Sequence, residues 1–184
     1  VKIKDGGKNY DGSLSYYTGD YSSSANDIFP NIDDQSFTAN RTFDGFISGP
    51  VLPFLGDKLT FNISLRRSES EGYLYGIREH NPGDFAYFPP SGNWYIQLTG
   101  DSSYVPMNPS ESTNGLSKVT LRLTPSIKIS TQSILSRSQS KSYSHTYKYN
   151  PDGVGTGYSA NNNHSIKINH SLSPKSFYEA NVFM

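Results

Sequence analysis

The chain of 184 residues has zero formal charge at neutral pH, contains no cysteine, and is 34% hydrophobic but 14% aromatic. Balanced charge removes the basic footprint expected of a nucleic-acid partner, and the absence of thiols removes disulfide scaffolds, thiolate metal sites and cysteine nucleophiles. No run approaches the ~18 apolar residues a membrane helix needs, and the wealth of Tyr, Phe, Ser, Thr and Asn favours strands and turns over helices.

Alternation of apolar and polar residues predicts seven strands, in chain order 9–21, 41–51, 59–76, 115–124, 127–145, 163–173 and 176–184. The third is the clearest: in LTFNISLRR, Leu59, Phe61, Ile63 and Leu65 fall on one parity and Asn62, Ser64 and Arg66 on the other. Successive side chains of an extended chain point to opposite faces, so this strand has one oily and one polar side. The fourth repeats the pattern, with Val119, Leu121 and Leu123 against Thr120 and Arg122.

The connections carry more information than the strands. Between the second and third strands lies LPFLGDK, between the fourth and fifth TPS, and between the sixth and seventh SPK, all short stretches in which proline presets a turn. The remaining connections, 22–40, about 77–114 and about 146–162, are long. Short and long alternate, so an up-and-down sheet would carry tight turns at one end and long loops at the other. That is the pattern of transmembrane β-barrels with short periplasmic turns and long extracellular loops, whereas Greek-key sandwiches mix the two.

The expected fold is therefore all-β: an antiparallel up-and-down barrel segment of about seven strands within a larger barrel, because an open edge cannot stand in hydrocarbon. In that arrangement Leu59, Phe61, Ile63, Leu65, Val119, Leu121 and Leu123 face lipid, and Asn62, Ser64 and Arg66 face the lumen. The alternative is a soluble secreted β-sandwich that binds carbohydrate, which would bury the oily parity against a second sheet. The isolated segment is expected to aggregate through its free edges.

VKIKDGGKNYDGSLSYYTGDY, GFISGPVLPFLGDKLTFNISLRR, GYLYGIREHNPGD, NWYIQLTGDSSYVPMNPS and LTPSIKIS followed by SYSHTYKYNPDG together resemble TonB-dependent outer-membrane receptors. The likeness is to the long-loop, Bacteroidetes-type branch that often carries a carboxypeptidase-regulatory-like domain. The resemblance implies a plug inside a barrel of 22 strands, with residues 1–8 as the end of the plug and 9–184 as the first, incomplete part of the barrel. It further implies uptake of an extracellular small solute (siderophore, sugar or peptide), outer-membrane lipid around the wall, and coupling to the TonB complex through a more N-terminal region. It implies no cofactor.

Candidate chemistry is sparse. His80, His145, His164 and His170 stand apart from any catalytic motif, and Glu69, Glu71, Glu79 and Asp84 read as a solvated rim, so no enzyme is expected. Asp20, Asp27, Asp33 and Asp34 crowd the first long loop without the spacing of a calcium loop, and Asp152 sits in turn chemistry, so no metal is expected. Asn62, Asn163 and Asn169 match glycosylation acceptors by coincidence. The best-founded site is aromatic: among Tyr73, Tyr75, Phe85, Tyr87, Phe88, Trp94 and Tyr95, the candidates for binding a solute are Trp94, Tyr95 and Tyr87, with Arg78. Tyr73 and Tyr75 suit an interfacial girdle.

Overall fold

The computed structural model describes residues 3–184; Val1 and Lys2, at the start of the expected plug end, lie outside the described residues. Seven strands form one antiparallel sheet: β1 (Asp11–Gly19), β2 (Asn40–Pro50), β3 (Leu59–Ser70), β8 (Ser110–Arg122), β9 (Ile127–Ser140), β10 (Gly157–Ser173) and β11 (Ser176–Phe183). They lie side by side in chain order, as an up-and-down meander. The numbers skipped belong to two small hairpins in the loop between β3 and β8: β4 (Tyr75–Ile77) pairs with β7 (Tyr104–Pro106), and β5 (Ala86–Tyr87) with β6 (Tyr95–Ile96).

The tight turns all fall at one end. After β2 the chain makes a single 3-10 turn at Pro53–Leu55, closed by Gly56 at φ 53°, a left-handed backbone that favours glycine. After β8, the Thr124 hydroxyl accepts from the backbone N–H groups of Ser126 at 3.3 Å and Ile127 at 3.0 Å, and after β10 the Ser173 hydroxyl accepts from the Lys175 N–H at 3.2 Å. These local bonds bend the chain at its prolines. Residues 20–39, 71–109 and 141–156 emerge from the opposite end.

Register places the predicted faces. Leu59 lies opposite Leu121 and Phe61 opposite Val119, while Asn62 lies opposite Lys118 and Thr60 opposite Thr120. The oily parity continues through Ile47, Ile129 and Ile166 on neighbouring strands. No second layer covers it among the described residues: Ile63 stands 47% exposed, Leu65 44% and Leu123 56%. A sandwich would bury these side chains, so the two-sheet alternative is not the arrangement this chain adopts. The opposite face is polar along most rows but carries one apolar row, Phe46, Leu116 and Ile134 across Ser64.

The expected strands differ from the observed ones mainly at the loop end. The third ends at Ser70, not at residue 76, because Gly72 at φ 80° turns the chain away. The fourth starts at Ser110 and the sixth at Gly157, earlier than alternation suggested, since SESTN has nothing apolar to alternate and GYSANN has only Tyr158 and Ala160. Their pairing comes from the neighbouring strand. The fifth stops at Ser140, where the chain leaves for its loop.

Along the outward face the apolar run stops at one level. Above it, Arg41 of β2 donates to Glu69 at 2.6 Å, Arg67 of β3 donates to Glu69 at 2.7 Å and also to Glu111 of β8, and Gln139 of β9 donates to Glu111 at 2.7 Å. These side chains form a continuous polar ladder over four strands.

Residues 3–8 approach from the tight-turn end and lie across the polar face. Ile3 and Gly6 are buried, and a Cβ on Gly6 would meet the Phe61 carbonyl oxygen at 2.3 Å. Only glycine permits so close a crossing. Beneath this strap Thr60 and Thr120 are completely buried.

Candidate functional site

Apart from prolines, the buried apolar side chains among the described residues are Ile3, Ile32, Ala39, Tyr75 and Met107, and all but Ile3 belong to the loop end. The three long loops pack on one another there. Gln35 of the first loop donates to the Gly72 carbonyl and, at 2.6 Å, to the Tyr75 hydroxyl, while Tyr21 meets Tyr73 edge-on at 5.3 Å. Burial pushes the Tyr75 phenol above its ordinary range, against the opposing effect of the Gln35 hydrogen bond. Tyr73 and Tyr75 thus serve loop packing in this structure.

Arg78 ties the second loop to the third. Its guanidinium donates to Asp152, to Asp101 at 3.1 Å and to the Ser103 hydroxyl at 2.9 Å. The bond to Asp152 leads the causes that raise Arg78 above its ordinary pKa. Asp101 is lowered to about 2, first by hydrogen bonds from the Ser103 hydroxyl and N–H and then by Arg78. Backbone bonds reinforce the join, from Ile77 N–H to the Lys148 carbonyl at 2.8 Å and from His80 N–H to the Tyr149 carbonyl at 3.0 Å. A Cβ on Gly76 would meet the Lys148 carbonyl oxygen at 2.6 Å, so the two loops touch backbone to backbone. Asp84 accepts from Thr99 and from the Asn81 N–H, and the Thr99 hydroxyl bond leads the causes that lower it.

The candidate binding residues divide between two places. Tyr87 and Tyr95 sit opposite each other on the β5–β6 hairpin with ring centroids 5.7 Å apart, and Phe85 joins them at 5.8 Å from Tyr95. Trp94 pairs with Phe88 at 5.3 Å, one step nearer the hairpin tip and therefore on its other face. Both faces are open: Trp94 is 66% exposed and Tyr87 51%. Arg78 stands apart from this arm, its donors engaged by Asp101, Asp152 and Ser103.

A hairpin bearing rings on both faces, anchored on a packed loop base, offers flat amphipathic surface for stacking against sugar rings, planar groups or peptide side chains. Residues Phe88 to Trp94, FPPSGNW, keep the tip stiff through Pro89 and Pro90 while Gly92 at φ 84° reverses it. Among the described residues no three His, Asp or Glu side chains gather as metal ligands.

Sequence reasoning missed one constellation. Asp5 of the strap accepts from Lys118 at 2.6 Å, Lys128 at 3.2 Å and the Thr120 hydroxyl at 3.2 Å, with Arg122 at 4.0 Å. Burial would raise its carboxyl, but hydrogen bonds and charge from Lys118 and Lys128 outweigh that and lower it to about 2. Asp5 lies more than a hundred positions from its partners; Lys118, Thr120 and Arg122 share one face of β8, and strand pairing adds Lys128 opposite Arg122. Comparisons with protein-family models, with curated proteins and with solved structures found no match for this chain.

Proposed function

We propose that this chain is the plug-exit and early-barrel portion of a TonB-dependent transporter of the bacterial outer membrane, whose loops capture an extracellular small solute. The observation that carries this reading is the seven-stranded meander with one uncovered apolar face, bounded at the long-loop end by the ladder from Arg41 to Gln139. On β9 the outward positions from Ile127 to Leu135, apolar at Ile127, Ile129 and Leu135 and polar at Thr131 and Ser133, cover about 26 Å along the strand. A strand tilt of ~40° would make this about 20 Å of height, close to the ~25 Å apolar band of such barrels.

Three further features support it. The polar face suits a wet lumen, with Asn62, Ser64 and Arg66 on it and residues 3–8 laid across it as the end of an internal domain would be. The long loops share one end and hold most of the buried apolar side chains, as an extracellular vestibule requires. β1 and β11 each pair on one side only, so a spanning sheet of this kind must close through further strands. Solute capture falls to Trp94, Tyr95 and Tyr87, and Arg78 braces the loops beneath them. Force from the TonB complex would reach the strap from upstream.

These 184 residues contain no cysteine, so cysteines introduced among them and located by peptide mapping provide a direct test. Single cysteines are placed at Phe61, Ile63 and Leu65 and, separately, at Asn62, Ser64 and Arg66, in the full-length protein in outer-membrane vesicles. The first set should resist aqueous maleimide and be quenched by a lipid-soluble quencher; the second should react. Equal aqueous reactivity of both parities would overturn the membrane reading.

A further inference from the structure

We infer that Lys118, Arg122, Lys128 and Thr120 form a binding site for a small oxyanion, a carboxylate or phosphate, and that Asp5 occupies this site as a tethered internal ligand. The four donors come from two adjacent strands and surround a single carboxylate. Three cations converge there, and among the described residues the only other carboxylate within salt-bridge distance of them is Asp57, 3.9 Å from Arg122, leaving one positive charge in excess in that set. Lys118 is well buried, its side chain 12% exposed, so its ammonium is held toward the site. An oxyanion presented to this group would find the charge-assisted donors that suit it best.

Two independent observations show that the site is more than a latch for the strap. A cavity of about 1190 Å³ opens beside it, lined by Asp5, Lys118 and Lys128 together with Gln132, Asn163 and Lys167, so a solute can reach the cations while the strap is in place. Directly under the strap, the Thr60 hydroxyl is buried with no hydrogen-bond partner among the described residues. An unsatisfied buried hydroxyl costs about 1–3 kcal/mol, so strap docking works against itself at the very place where Asp5 holds it. A ligand that replaced the Asp5 carboxylate would free the strap and let Thr60 meet water. The site and the strap are present whether the apolar face meets lipid or not, so this inference stands apart from the membrane reading.

Inorganic phosphate is the probe, titrated calorimetrically into the full chain in detergent or buffer. A tethered carboxylate competes at millimolar effective concentration, so Asp5→Asn should bind phosphate about tenfold or more tighter than the wild type. Adding Lys118→Gln and Lys128→Gln to that variant should abolish the gain. Equal phosphate affinity with and without Asp5, or affinity retained in the triple variant, would overturn the site. Should Asp5→Asn fail to fold, hydrogen exchange on the wild type decides: saturating phosphate should speed exchange of residues 3–8 with the sheet unchanged, and no acceleration would refute the inference.

Discussion

In the sheet, Ile63 and Leu65 are nearly half exposed; in the loops that cap one end of it, Met107 is 0% exposed and Tyr75 5%. The regular part of the molecule therefore displays its apolar side chains, whereas the irregular part encloses a small core of its own and leaves the aromatic arm around Trp94 and Tyr87 open. The sheet is held by backbone ladders running across seven strands, whereas the cap depends on a small core and on Arg78, Gln35 and Asn108 bridging between segments. A water-soluble β-protein distributes these roles the other way. The contrast teaches that no layer covers the oily face of the sheet among the described residues, while the cap encloses a core of its own.

Truncating the cap core gives the sharpest test of that division. Met107→Ala should cost about 2–5 kcal/mol of local stability, read as faster hydrogen exchange across residues 71–109 with β2, β3, β8 and β9 still protected. Exchange spreading evenly into the sheet would show that the two regions are one cooperative unit.

A charge in the oily band separates the two solvents. Ile63→Arg should cost about 2–4 kcal/mol in a bilayer and within about 0.5 kcal/mol in plain buffer, where the position is already exposed. Denaturant titrations in vesicles and in buffer measure both values, and equal small effects would erase the contrast.

The strap responds to pH in a defined direction. The Asp5 carboxyl is lowered from 3.8 to about 2, so its contribution is complete above the ordinary carboxyl range and is lost as pH falls through about 2. The charged groups facing it are Lys118 and Arg122 from β8 and Lys128 from β9, all cationic throughout that window. Allowing for its partial exposure, the contribution is about 1 kcal/mol. Hydrogen exchange of residues 3–8 should accelerate over that acid range in the wild type, and Asp5→Asn should remove the transition.

The smallest effect on stability is expected at the aromatic arm. Trp94→Ala and Tyr87→Ala should each change stability by less than about 0.5 kcal/mol, because both rings are exposed. Solute uptake or binding, followed with sugar, peptide and siderophore panels, should nevertheless fall. Unchanged uptake in both variants would remove the hairpin from solute capture.

Much of this organisation is legible in the residues. Alternation from Leu59 to Leu65 and from Val119 to Leu123 assigns faces that the register reproduces, and proline turns against long loops give the two unlike ends. The polar upper halves of β8 and β10 escape detection because Ser, Thr and Asn pattern neither face. The apolar row of Phe46, Leu116 and Ile134 escapes because each reads as a lone exception within its own strand. Trp94 and Tyr87 are recognisable as aromatic, but their placement on opposite faces of a hairpin depends on a pairing that only the fold defines. Arg78 reads as a partner for a ligand, and in the structure it meets two aspartates far along the chain. Of the Asp5 cluster only the shared parity of Lys118, Thr120 and Arg122 is legible, since Lys128 joins through strand pairing and Asp5 from more than a hundred positions away.

Those polar upper strand halves pose a problem of alignment. Where both faces are hydrophilic, nothing in the side-chain pattern resists a shift of one strand past the next, and Ser-rich segments such as residues 110–114 and 136–140 would pair almost as well two positions out of step. The links from Arg41 through Glu69, Arg67 and Glu111 to Gln139 join four strands, and each depends on its two members standing at matching heights. A slip between any two neighbours among β2, β3, β8 and β9 breaks one of these links. The ladder thereby works as a row of index pins, holding the strands in step over the stretch where hydrophobicity is silent and delivering the three long loops at heights from which they can meet.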